Sequence, residues 1–127
     1  MNGNRYLIDT NIAIYLLNGD KRIAELLNGN HIYISFITEL ELYSFKNLKK
    51  TEIKILDDFI SACTVIDINR VIKDYSIELR KKYNLRLPDC IIAATAQYLA
   101  VPLFTADADF KILKDLSIIK YEPGNDV

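Results

Sequence analysis

Along this chain, short apolar runs alternate with longer stretches in which apolar residues recur every three or four positions. A short continuous apolar run suits a strand buried on both faces, whereas the three-to-four recurrence lines up side chains on one face of a helix. The runs Arg5 to Ile8, Ile32 to Ser35, Thr64 to Ile68, Val101 to Thr105 and Ser117 to Tyr121 predict strands. Ile53, Leu56, Ile60 and Cys63 predict a one-sided helix over Thr51 to Cys63, and Ile72, Tyr75, Leu79 and Tyr83 predict another. Ile91 to Ala100 is apolar all round except for Thr95 and Gln97, which predicts a central buried helix. The alternation reads as an α/β fold with a mainly parallel sheet of four or five strands.

A length of 127 residues suits one globular core, and no repeat, proline-rich linker or low-complexity stretch marks a boundary, so one domain is expected over residues 1–127. Half of the residues are hydrophobic and 26% are charged, a balance that excludes disordered and fibrous classes. With 16 Lys and Arg against 17 Asp and Glu the net charge is −1, so any anion must be held by a local patch. One histidine, His31, and two cysteines, Cys63 and Cys90, build neither a His-rich nor a Cys-rich zinc site. The scattered glycines assemble no dinucleotide fingerprint or phosphate loop, and no Gly-x-Ser-x-Gly elbow occurs. The N-terminus lacks the pattern of a secretory signal, and the longest apolar stretch, Cys90 to Ala96, is far short of a bilayer span. These features predict a cytoplasmic protein without membrane contact and with free thiols, the two cysteines pairing only if their geometry allows.

Ligands of open parallel sheets bind beyond the carboxyl ends of the strands, and there this chain concentrates acids. Asp9-Thr10-Asn11 follows the first predicted strand, Asp107 and Asp109 follow Leu103-Phe104-Thr105, Asp89 opens the buried helix after Leu87-Pro88, and Glu39 or Glu41 follows Ser35. Taken singly, an aspartate at a helix start caps free amides and suits the helix dipole, for about 1 kcal/mol. Capping leaves unexplained why four chain segments bring acids to one edge with no lysine or arginine beside them in the motifs. Carboxylates a few ångströms apart raise one another's pKa and are tolerated best around a cation. An all-oxygen set without His or Cys selects hard Mg²⁺ or Mn²⁺. Such an ion orients and deprotonates water and offsets charge building on a phosphate, so phosphoester hydrolysis is the expected reaction.

Four segments in order, Tyr6-Leu7-Ile8-Asp9-Thr10-Asn11, Ile34-Ser35-Phe36-Ile37-Thr38 with its following Glu-Leu, Leu87-Pro88-Asp89-Cys90-Ile91-Ile92-Ala93-Ala94-Thr95-Ala96, and Phe104-Thr105-Ala106-Asp107-Ala108-Asp109-Phe110, resemble a PIN domain of the VapC toxin type. The resemblance runs from about residue 5 to about residue 121. It implies a three-layer α/β/α fold and a Mg²⁺- or Mn²⁺-dependent endoribonuclease acting on RNA, restrained by a cognate antitoxin and often a homodimer. Carried residue by residue, it makes Asp9, Glu41, Asp89 and Asp107 the metal-site acids, Thr10 and Asn11 supporting polar residues, and Asp109 a further acid nearby. The family commonly has glycine four residues after its glutamate, where this chain has Phe45; the bulkier side chain alters the packing or shapes the substrate groove but removes no ligand. The family glutamate stands three residues after the threonine of the second motif, which selects Glu41 from Thr38. Two positions along a helix is a rotation of about 200°, so Glu39 and Glu41 cannot both face one pocket if the helix has begun by Thr38. Glu39 then sits in the first turn, where its charge suits the dipole.

Other features weigh less. Arg80, Lys81, Lys82 and Arg86, like Lys46, Lys49, Lys50 and Lys54, could track an RNA backbone or simply form solvated helix faces. Tyr75 and Tyr83 share an apolar stripe and are expected in the core, and His31 is expected in a loop. Cys90 has no histidine nearby in sequence to activate it as a nucleophile. The rival readings are a non-catalytic binding module whose acids are caps, and a receiver-like signalling domain that collects acids around Mg²⁺. A phosphatase of the haloacid dehalogenase type needs a second aspartate where this chain has Asn11.

Overall fold

The structure is a computed structural model that describes residues 3–122. Five strands, β1 (Arg5–Ile8), β2 (His31–Ser35), β3 (Thr64–Ile66), β4 (Leu103–Thr105) and β5 (Ile118–Lys120), form one sheet in the order β3-β2-β1-β4-β5. Every pairing is parallel, with Leu7 opposite Tyr33 on one side and Leu103 on the other. The helices are α1 (Thr10–Leu17), α2 (Lys21–Leu27), α3 (Phe36–Tyr43), α4 (Lys50–Ala62), α5 (Arg70–Lys82) and α6 (Leu87–Leu99), with a 3₁₀ turn at Ala108–Ile112. Successive strand residues point to opposite faces, so Leu7 and Leu103 join one core with Ile72, Leu79, Cys90 and Ala93, while Ile8 and Phe104 join the other with Ile12, Ile34, Leu42 and Leu56. The expected three-layer α/β/α architecture is therefore present. Its strand order also differs from the 2-1-3-4-5 order of receiver domains, which removes that rival.

Local chemistry accounts for the boundaries and for where they depart from expectation. Val101 and Pro102 are not strand residues: Ala100 takes the left-handed conformation (φ 56°) as the cap of α6, and the Val101 N–H bonds back to Ala96 O. The third strand stops at Ile66, where its pairing with Ser35 ends. His31 is the first residue of β2 rather than a loop residue; its ring stacks on Tyr33 and its Nε2 lies 2.7 Å from Thr64 Oγ1. Asp89 does not open α6, which begins at Leu87 with Pro88 in its first turn, a position that needs no N–H. As expected, α6 is the buried helix, and Tyr75 and Tyr83 pack against its core. Cys63 and Cys90 are free thiols in different core layers. No helix among the described residues is long and apolar enough to cross a membrane.

Candidate active site

Strand order reverses direction between β1 and β4, so the connections leaving these neighbours run to opposite sides and open a crevice at their carboxyl ends. Asp9 stands one residue beyond β1 and Asp107 two residues beyond β4. Glu41 reaches the same place from α3 and Asp89 from the first turn of α6. Together with Thr10, Asn11, Arg86 and the apolar Ile14, Phe45, Ile92 and Phe110, they line an open pocket of about 220 Å³. Asp109 does not line it: its side chain is exposed, and its backbone N–H donates to Asp107 Oδ1 at 2.9 Å. Glu39 also lies outside the pocket, in the first turn of α3 near the Tyr43 hydroxyl. Phe45 follows the end of α3 rather than continuing it, yet it forms part of the pocket wall.

Each acid is held by its own partners. Asp9 is only 4% exposed, its Oδ1 accepting from Ile12 N–H at 3.0 Å and its Oδ2 from the Thr105 hydroxyl. Thr105 Oγ1 in turn accepts the Asp107 N–H at 2.9 Å, tying together the two acids of the switch point. Thr10 donates to Glu41 Oε1, so its single proton is used, and the Thr38 hydroxyl 3.0 Å away must be the donor between the two threonines. Asp89 Oδ2 accepts from Arg86 Nε at 3.2 Å. The absence of basic residues in the motifs did not carry into three dimensions: Arg86, three residues before Asp89, supplies a cation to the pocket.

Burial pushes the Asp9 carboxyl up to about 6, the hydrogen bonds from Thr105 and Ile12 oppose the rise, and the charges of Asp107 and Asp89 add to it. Burial also raises Asp89; Arg86 works against this, while Asp107 and Glu41 reinforce it. The carboxylates thus feel one another across a single space. Among the described residues no three His, Cys, Asp or Glu side chains stand close enough to grip one ion as positioned. The donor chemistry nevertheless fits a hard divalent cation: the pocket offers carboxylate, hydroxyl and amide oxygens and no imidazole or thiolate.

Sequence reasoning missed Arg86, Thr38 and Thr105 here. Arg86 groups in sequence with the basic residues of α5, and although Thr38 and Thr105 stand within the second and fourth motifs, nothing there shows that they act on residues 28 and 96 positions away.

The PIN domain family profile matches residues 6–116. Ribonuclease VapC2 of Methanocaldococcus jannaschii is 28% identical, the match covering 94% of this chain and 96% of that protein. A solved toxin–antitoxin complex from Klebsiella pneumoniae contains a chain with 33% identity and a TM-score of 0.79, over 92% of this chain and 98% of that one. VapBC2 from Rickettsia felis, solved bound to a DNA fragment from its promoter, contains another at 27% identity and a TM-score of 0.79, over 93% and 99%. With the profile running from the first strand almost to the last, the chain belongs to the PIN domain family.

Proposed function

We propose that this chain is a Mg²⁺- or Mn²⁺-dependent endoribonuclease, the toxin of a toxin–antitoxin pair, in which Asp9, Glu41, Asp89 and Asp107 hold the metal and Thr10 and Asn11 support them. The observation that carries the reading is the convergence of four acids from four chain segments on one pocket at the sheet's switch point. Its support from outside the chain is a relative described as a ribonuclease and neighbours described as toxin–antitoxin complexes. An RNA substrate, a cognate antitoxin, a homodimeric assembly, a cytoplasmic location and a single nuclease domain over residues 1–127 belong to the same proposal.

A bound Mg²⁺ or Mn²⁺ would supply an activated water and offset the charge developing on the phosphate. The chain's own residues do the positioning. Thr105 holds Asp9 by one oxygen and the Asp107 backbone by its N–H, so these two acids move as a unit. Thr10, backed by Thr38, orients Glu41. Burial of Asp9 keeps bulk water off the floor of the pocket, and Arg86 offsets part of the charge at Asp89. Outer partners of this kind tune metal affinity nearly as strongly as the ligands themselves.

The non-catalytic reading has one observation in its favour: Asp9 caps α1 and Asp107 caps the 3₁₀ turn. It also accommodates Asp89, an acid in the first turn of α6 that suits the helix dipole, but it has no use for Glu41, which caps nothing and lines the same pocket. Thermal melting with added Mn²⁺ separates the two readings, because a ligand that binds only the folded state raises the melting temperature by mass action. A rise in wild type that is lost in Asp89→Asn, alongside Mn²⁺-dependent cleavage of cellular RNA, is expected; no rise and no cleavage in folded wild type would sink the proposal.

A further inference from the structure

Among the described residues lining the acid pocket, Arg86 is the one cation. Four ionised carboxylates against one guanidinium leave a net charge of −3, and a single divalent ion reduces this only to −1. A phosphodiester entering such a pocket is repelled unless a cation receives it.

Arg86 is arranged to do so. Its Nε donates to Asp89 Oδ2 in a single contact rather than a paired fork, and among the described residues the guanidinium makes no other hydrogen bond. Guanidinium carries five N–H donors, so the terminal ones remain available in the fork geometry that suits phosphate oxygens. The side chain is 81% exposed at the pocket rim. Its backbone, by contrast, is pinned: Arg86 O accepts the Cys90 N–H at 3.0 Å and Pro88 stiffens the first turn of α6. The stem is therefore anchored beside Asp89 while the head faces the open side.

We propose that Arg86 docks the RNA phosphate at the acid pocket, its terminal N–H groups on the phosphate oxygens while Nε remains on Asp89. This rests on the nuclease reading above and adds a substrate-binding residue to it. The competing role, a counterion serving Asp89 alone, is an outcome of the test.

Binding of a short fluorescein-labelled single-stranded RNA is followed by anisotropy over a range of salt, with Mn²⁺ present and in an Asp9→Asn background so that the RNA is not consumed. Arg86→Gln is expected to weaken binding about tenfold and to reduce the slope of log affinity against log salt by about 0.7, the value of one phosphate contact on a single strand. Arg86→Lys is expected to recover the slope but only part of the affinity, because a point charge lacks the fork. In the otherwise native protein Arg86→Gln should raise KM for cleavage far more than it lowers kcat. Unchanged affinity and slope in a folded Arg86→Gln protein, with a smaller Mn²⁺ melting shift, overturns the proposal and leaves Arg86 to Asp89. Failure of the nuclease reading looks different: wild type itself then leaves RNA intact and shows no Mn²⁺ shift, and the Arg86 proposal falls with it.

Discussion

The two edges of the sheet are built from opposite chemistry. At the carboxyl edge Asp9, Glu41, Asp89 and Asp107 crowd one pocket with a single arginine. At the amino edge an open cleft of about 720 Å³ is lined by Arg5, His31 and Thr64 among others, and no carboxylate is among its described lining residues. There the His31 ring stacks on Tyr33 with centroids 4.4 Å apart, Arg5 lies over the same ring and donates to its hydroxyl, and His31 meets Thr64. Helix polarity explains the contrast. Helices that follow strands begin at the carboxyl edge, as α1 does at its Asp9 cap and α3 at its Ser35 cap, so partial positive charge collects there. Helices that precede strands end at the amino edge, as α4 does before β3 and α6 before β4. Acids gather where the backbone tolerates them, and the surplus beyond capping is what the proposed metal site uses.

The largest expected effect lies in catalysis. Asp9→Asn and Asp107→Asn should each lower Mn²⁺-dependent RNA cleavage by more than about 100-fold while the proteins stay folded, because the amide keeps the cap acceptor and loses the charge. His31→Ala, at the opposite edge, should leave cleavage within about twofold. Equal losses from the two edges would erase the functional distinction between them.

A finer division runs through α3. Glu41 lines the pocket and Glu39 does not, so Glu41→Gln is expected to cut cleavage by about tenfold or more and Glu39→Gln to leave it nearly unchanged. The reverse pattern in a cleavage time course would mean that the side chains of this helix are turned the other way in the active protein.

Stability should respond at the same buried carboxyl. Asp9 keeps its proton up to about pH 6 in the fold, against an ordinary value of 3.8. Between these values the folded chain holds a proton that the unfolded chain has released, so stability falls as pH rises through that window and the deficit is complete above it. Asp9→Asn is therefore expected to be more stable than wild type by about 1–2 kcal/mol above pH 6 without metal, and to lose that advantage below about pH 4. Urea unfolding of both proteins at the two extremes measures it; an advantage that does not depend on pH would rule out the buried charge as its source. The smallest effect belongs to the amino edge, where His31→Ala should cost about 1 kcal/mol or less in the same assay through loss of the stack and the Thr64 hydrogen bond.

Periodicity and motif order made most of the architecture legible. β1 falls on Arg5–Ile8 as expected, and α6 is buried as its all-round apolar surface requires. Ser35 caps α3, which begins at Phe36, two residues ahead of Thr38, and this makes the choice between Glu39 and Glu41 a matter of helical rotation. These features are local: they depend on residues within a turn or two of one another, and the chain carries them in its pattern.

Arg86, Thr38 and Thr105 were not legible, and the reason lies in distance along the chain. Thr105 reaches Asp9 because β4 lies beside β1, an adjacency that no local pattern encodes across 96 residues. Thr38 meets Thr10 because α1 and α3 share one face of the sheet, and the burial that raises the Asp9 carboxyl, with a smaller push from Asp107 and Asp89, exists only once the segments pack together. Arg86 at the start of α6 meets Asp89 three residues on, a local contact, but that this pair faces Asp107 and Glu41 in one pocket depends on other segments. The sequence by itself determined which acids reach the carboxyl edge, since strand ends and helix starts are local events. Tertiary structure decided which groups hold and balance them, because hydrogen bonds and fields act through space between segments that only the packed sheet brings together.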